Sequence, residues 1–332
     1  MKKLSKLLAV SLSCAMAVSL AACGTDSAGD STNSQSPSPS ASGSAAVQTG
    51  ETYLIGICQQ QTHDALDAAT QGFKDALTEA LGDAVTFEEQ DAGGEYANCG
   101  TIVDGFVAEG VDLILANATY PLQAAASATA DIPILGTSVT DYATALSISD
   151  WTGTVGGNIS GTSDLAPLDQ QAAMLQELFP DAQNVGLLYC SGEPNSVYQV
   201  ETIQGYLEEM GYTCTQYAFT DVNDLSSVTQ TACDNSDVIY IPTDNTAAAN
   251  TETIANVVIP AGVPVIAGES GICSGCGVAT LSISYYDIGY TTGEMAAQIL
   301  TGEADISTMP VPVRPQRDQD ATTPPTARPW AS

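Results

Sequence analysis

The side chains able to do chemistry in this chain follow short apolar runs, and their types suit holding a ligand better than breaking a bond. Gln59 and Gln60 follow the run 53–58, Asn117 and Thr119 follow 111–116, and Thr137 and Ser138 follow 132–135. Ser191, Glu193 and Asn195 follow 185–189, Asp244 and Asn245 follow 238–241, and Glu269 follows 263–266. Hydroxyls between a strand and a helix converge with free backbone N–H groups on an anion. Thr119, Thr137 and Ser138 are therefore the candidates for holding a negative group. Asp244, and after it Glu269, offer a negative charge to a cationic group, with Asn245 assisting. Each of these residues also has a plainer use as a helix cap or a solvated loop.

Catalytic patterns are missing from the sequence. His63 is the only histidine, so a Ser-His-Asp triad would hang on one residue, and a His-rich metal site is excluded. There is no GxSxG elbow and no GxxxxGK phosphate loop. Cys273 and Cys276 form a CxxC that could close a small disulfide, but no second pair completes a zinc site. Besides Cys23 and the leader's Cys14, seven cysteines remain, Cys58, Cys99, Cys190, Cys214, Cys233, Cys273 and Cys276. An odd number in an exported chain points to buried thiols rather than a complete disulfide framework. No metal, no cofactor and no enzymatic activity are expected.

The elements that must position these side chains alternate. Apolar runs of strand length at 53–58, 84–88, 111–116 and 132–135 are separated by helical patterns at 65–81, 98–108 and 122–129. On the first helix Leu66, Ala69, Phe73, Ala76, Leu77 and Ala80 share one face. The series repeats with strands at 185–189, 214–219, 238–241 and 263–266 between helices at 169–178, 196–210, 224–233 and 247–258. This alternation predicts α/β architecture with two doubly wound, Rossmann-like lobes of four strands each. In an open parallel sheet, ligands bind outside the carboxyl ends of the strands, so two lobes facing each other there enclose a cleft.

The N-terminus carries an address. Lys2, Lys3 and Lys6 precede an apolar stretch ending in Leu20-Ala21-Ala22-Cys23. A basic start, a short apolar run and small residues before a cut describe a signal peptide over 1–22. The ending resembles the bacterial lipobox, which makes Cys23 a site of lipid attachment, with acyl chains sufficient for durable anchoring. Residues 23–50 are mostly Ser, Ala, Gly, Thr and Pro and form a flexible tether. Removing the leader takes away three of seven basic residues and none of 39 acidic ones, moving the formal charge from −32 to 4 − 39 = −35. That field repels nucleic acid and anionic headgroups and excludes both as partners.

Seven segments, in order, carry a resemblance: 61–73 (QTHDALDAATQGF), 117–123 (NATYPLQ), 136–141 (GTSVTD), 158–164 (NISGTSD), 188–196 (LYCSGEPNS), 242–245 (PTDN) and 289–295 (GYTTGEM). Over about residues 52–310 the chain resembles the solute-binding proteins of ABC importers, in a family that includes tryptophan and tyrosine binders. The resemblance implies a type I periplasmic-binding-protein fold with lobes at 51–150 plus 283–310 and at 151–282. Three crossings would join them, near 148–155, near 281–284 and near Val311, with the helix 285–300 returning to the first lobe.

It also implies a monomer that closes on an amino acid of the aromatic type and delivers it to a membrane permease. The ligand's carboxylate then falls to Thr119, Thr137 and Ser138, and its ammonium to Asp244, Glu269 and Asn245. Gln59, Gln60, Asn117, Ser191, Glu193 and Asn195 would line the cleft. Thr162, with Ser163 and Asp164, would open the second lobe, and Trp151, Tyr120, Tyr142 and Tyr198 are the stacking candidates. The competing functions are a ligand-sensing lipoprotein for a membrane receptor and a cell-surface hydrolase. Residues 311–332 depart from the pattern: Arg314, Arg317 and Arg328 are the only arginines, and five prolines crowd the same stretch. A reading-frame error after about Val313 and a disordered extension are the two readings of that tail.

Overall fold

A computed structural model describes residues 51–312. The leader, Cys23, the tether and the tail beyond Pro312 lie outside the described residues.

The first lobe is laid down as β1 (Tyr53–Gln59), α1 (Asp64–Leu81), β2 (Val85–Asp91), α2 (Tyr96–Glu109), β3 (Leu113–Asn117), α3 (Thr119–Ala128), β4 (Ile134–Val139), α4 (Tyr142–Leu146) and β5 (Ile159–Ser163). Its parallel sheet has the order β2-β1-β3-β4-β5. The second lobe follows as α5 (Leu168–Leu178), β6 (Asn184–Cys190), α6 (Pro194–Glu209), β7 (Thr213–Phe219), α7 (Val222–Asn235), β8 (Val238–Ile241), α8 (Asn245–Ala249), α9 (Thr251–Ala261), β9 (Val265–Ala267), α10 (Ser270–Cys276) and β10 (Ala279–Thr280). Its order, β7-β6-β8-β9-β10, repeats that of the first sheet. The strands β1, β3, β4, β6, β8 and β9 are buried nearly throughout, as parallel strands covered by helices on both faces should be.

Each sheet carries a fifth strand beyond the four expected. The expected lobe boundary at residue 151 falls before one of them, because β5 pairs with β4 (Ile134↔Ile159, Gly136↔Gly161) in the first sheet. Gly161, at φ 145, makes that pairing close: a Cβ there would lie 2.1 Å from the Gly136 carbonyl oxygen. The chain therefore leaves the first sheet after Ser163 and enters α5 through 164–167. It returns through 281–284 into α11 (Tyr285–Leu300), which packs on the first lobe. Beyond α11, Val311 is buried in the first lobe and donates its N–H to Gly153, while the Pro312 carbonyl accepts from Ser163.

Helices α1 and α11 approach so closely that glycine is needed at the contact. A Cβ on Gly289 would stand 1.9 Å from the Ala69 carbonyl oxygen, and one on Gly72 would stand 2.1 Å from that of Tyr286. This contact fixes Tyr285, the first residue of α11, against the first lobe.

Candidate ligand-binding cleft

The carboxyl ends of β4, β8 and β9 meet across the two lobes, and a narrow cavity of about 10 Å³, room for a water-sized group, lies there. The first lobe brings His63 and Ser138 to it, the second brings Asn195, Asp244, Asn245 and Glu269, and the connecting segments bring Asp164 and Tyr285. The lobes touch around it. His63 Nε2 lies 3.2 Å from Asn245 Oδ1, the Gln199 amide donates to Thr140 Oγ1 at 3.3 Å, and the Tyr120 hydroxyl donates to the Gly192 carbonyl.

Ser138 sits just before the end of β4 with φ 55, a left-handed conformation uncommon outside glycine. Ala118, at the matching end of β3, has φ 98. Strained backbone at the rim of a cleft is a mark of a functional site. The Ser138 hydroxyl and Asn195 Oδ1 are buried and without a hydrogen-bond partner. Asn195 Nδ2 faces Glu193, Ser196 Oγ and the Thr243 carbonyl, which fixes the amide's orientation and turns Oδ1 to the free side.

The carboxylates differ in what holds them. Asp244 caps α8: Oδ1 accepts from Ala247 N at 2.8 Å, and Oδ2 from Cys190 N at 2.6 Å. Burial, and then the charge of Glu193, push its carboxyl up to about 7 against the hydrogen bonds it accepts. Glu193 Oε1 accepts from Thr246 N and Oγ1, and Oε2 from Asn245 N, Asn245 Nδ2 and Asn195 Nδ2. Glu269 caps α10 by accepting from Gly271 N and Ile272 N. Asp164 accepts from two hydroxyls, Thr140 Oγ1 and Tyr285 OH, each at 2.9 Å. Burial raises the Asp164 and Glu269 carboxyls, opposed in each case by these donors.

Of the thirteen residues expected to bind ligand, Ser138, Asn195, Asp244, Asn245 and Glu269 line the cavity. Thr119 lies beside it, with Asn195 and Tyr198, in a smaller recess between the lobes. The others face elsewhere. Gln59 and Asn117 bond to Thr70 of α1 behind the sheet, and Gln60 accepts from Tyr120 N. Thr137 and Thr162 turn inward along a hydroxyl chain to Thr292 of α11, so Thr162 is a first-lobe packing residue rather than an opener of the second lobe. Ser191 is exposed and bonds to the Phe219 carbonyl, while Glu193 stands behind the cavity and holds its asparagines. Among the aromatic candidates, Trp151 stacks on buried Tyr142 at 6.3 Å and Tyr120 spans the lobes. Sequence reasoning missed Tyr285 and His63 as cleft residues and gave Asp164 no role beyond position. Their signal was location at an element's start, not residue type.

Comparison with known proteins agrees with this geometry. A family model described as ABC transporter substrate binding protein matches residues 54–317. A tyrosine-binding protein of Clostridioides difficile is 33% identical over 253 residues, covering 75% of this chain and 73% of that protein. The crystal structure of an ABC domain in complex with L-Trp from Streptococcus pneumonia superposes with a TM-score of 0.76 at 32% identity, covering 80% of this chain and 90% of the other. A ligand-free, open substrate binding protein with adhesive properties from Clostridium difficile gives 0.60 at 34% identity, covering 79% and 89%. The chain belongs to the ABC transporter substrate-binding protein family, on the fold of the type I periplasmic binding proteins.

Proposed function

We propose that this chain captures an aromatic amino acid in the cleft between its lobes and hands it to a membrane permease from the outer face of the cell. Members of its family work outside the cytoplasm, and no described helix is long and apolar enough to cross a membrane. The observation that carries the ligand class is the pairing of an unpartnered hydroxyl donor, Ser138, with an unpartnered acceptor, Asn195, and with buried carboxylates. A zwitterion supplies the missing partners, whereas a sugar would leave the charge uncompensated. The better superposition on the L-Trp complex than on the open, ligand-free relative supports a closed arrangement here, and closure follows from a ligand that binds the closed form more tightly. Capture rather than turnover is the reading, because the second-lobe carboxylates are committed to helix caps and the asparagine network.

A thermal-shift screen tests this. A ligand present at about 100 times its Kd adds roughly 2.7 kcal/mol of stability. L-tyrosine or L-tryptophan should raise Tm, and sugars should not; a rise with sugars alone would refute the ligand class. The lipid anchor rests on Cys23 and its flanks. Cys23→Ala should move the protein from the membrane fraction to the medium, and an unchanged membrane fraction would reject that attachment site.

A further inference from the structure

The cleft is anionic without a compensating cation. Among the described residues Lys74 is the sole lysine or arginine, and it pairs with Glu89 on the surface at 2.8 Å. Asp164, Asp244 and Glu269 line the cavity, and Glu193 lies directly behind it. An α-carboxylate entering this space meets neutral donors such as the Ser138 hydroxyl, whereas an ammonium meets a concentrated negative field at low local dielectric.

The four carboxylates are not equally available. Asp244, Glu269 and Glu193 receive backbone N–H groups of their own lobe, with side-chain donors added at Glu193. An ionised carboxylate offers about four lone-pair sites. Asp164, like Asp244 and Glu269, takes one donor per oxygen and keeps a lone pair on each, but its donors are side-chain hydroxyls and it is committed to no helix cap. Asp164 is 4% exposed and directly follows β5, where the chain leaves the first sheet; its partner Tyr285 is the first residue of the helix by which the chain returns. A ligand bound at Asp164 therefore contacts both connecting segments. Independent of the charges, Ser138 at 6% and Asn195 at 7% exposure aim unpartnered polar atoms into the same cavity from opposite lobes.

Resting on the amino-acid reading above, we infer that Asp164, with Asn195 Oδ1, receives the ligand's ammonium and that the site selects ligands by this group rather than by the α-carboxylate. The ammonium donates to Asp164 from the side of the connecting segments and to Asn195 from the second lobe, so its arrival draws the two lobes together. The ligand carboxylate, held by neutral donors, is the replaceable end. Aromatic amines and amino-acid amides are thus within the ligand class, and the corresponding des-amino acids are outside it.

The test is isothermal titration of the full-length chain in detergent with L-tyrosine, L-tyrosinamide, tyramine and 3-(4-hydroxyphenyl)propionate. L-tyrosine should bind; the amide and the amine should bind within about 30-fold of it; the propionate should bind at least about 100-fold more weakly, as loss of one partner of a buried charge pair requires. In Asp164→Asn, tyrosine affinity should fall by at least about 100-fold while propionate affinity does not fall; in Asp104→Asn, a charge-matched change on the exposed face of α2, tyrosine affinity should stay within about 5-fold. Tight propionate binding with none of tyramine would overturn the assignment while leaving amino-acid capture standing. So would an Asp164→Asn variant that keeps its tyrosine affinity. Absence of binding by both L-tyrosine and L-tryptophan would overturn the amino-acid reading and this inference together. Should Asp164→Asn fail to fold, the four-ligand series on the unaltered chain decides the question.

Discussion

Glu193→Ala should lower the stability of the folded chain by about 4 kcal/mol, measured by urea unfolding, although Glu193 does not line the cavity. Its carboxylate accepts five hydrogen bonds, from Asn195, from the backbone and side chain of Asn245, and from the backbone and side chain of Thr246. Each buried donor left without an acceptor costs about 1–3 kcal/mol. Two opposing effects reduce the sum: a cavity this polar can admit water, and Asp244 is released from the charge that helps push its carboxyl up. Ligand affinity should fall as well, because Asn195 and Asn245 lose the group that orients them. A loss below about 1 kcal/mol would mean that Glu193 is not the hub of this network. The same accounting applies to Asp244. As the cap of α8 and the acceptor for Cys190 N, it is a support of the cleft, and substituting it should destabilise the fold as well as weaken binding.

Gly289→Ala should cost about 3 kcal/mol, which for a chain of this size lowers Tm by roughly 6–12 °C. The added methyl would lie 1.9 Å from a backbone oxygen of α1, and backbone cannot turn aside as a side chain can. The two helices must separate, opening voids along the Phe73–Met295–Ala296 core. Because α11 begins at Tyr285, their separation also displaces the hydroxyl that holds Asp164, so ligand binding should weaken with stability. The control is Gly205→Ala in α6, where nothing lies within 4 Å of the new Cβ; it should be neutral or stabilise by up to about 1 kcal/mol. Equal behaviour of the two variants, read by thermal unfolding, would contradict the close-packing account.

The alternating lobes were legible because β1, β3, β4, β6, β8 and β9 are buried on both faces and therefore read as uninterrupted apolar runs. The fifth strands were not. β5 reads Ile-Ser-Gly-Thr-Ser, and its burial rests on a glycine contact with β4 and on threonine hydroxyls bonded to α11; β10 spans two residues. A local departure from strand geometry explains why two neighbouring candidates divided as they did. Thr137, paired with β3, turns to Thr162, while Ser138, at φ 55 within the register shift between β4 and β5, turns to the cavity. Such a departure can be read only once the strand's register and its backbone conformation are known. Glu269 and Asp244 were legible as acids at strand ends, but a sequence does not show that backbone N–H groups already occupy their oxygens. Asp164 was legible only as an opener of the second lobe, with Thr162 and Ser163, because β5 is too polar to read as a strand and its partner Tyr285 lies 121 residues away.

The most direct measurement is a crystal structure of the protein with L-tyrosine or L-tryptophan bound. The account predicts a closed form with the ligand's ammonium within hydrogen-bond distance of Asp164 and Asn195 Oδ1 and its carboxylate toward Ser138. A ligand bound outside this cleft, or one whose carboxylate faces Asp164, would contradict it.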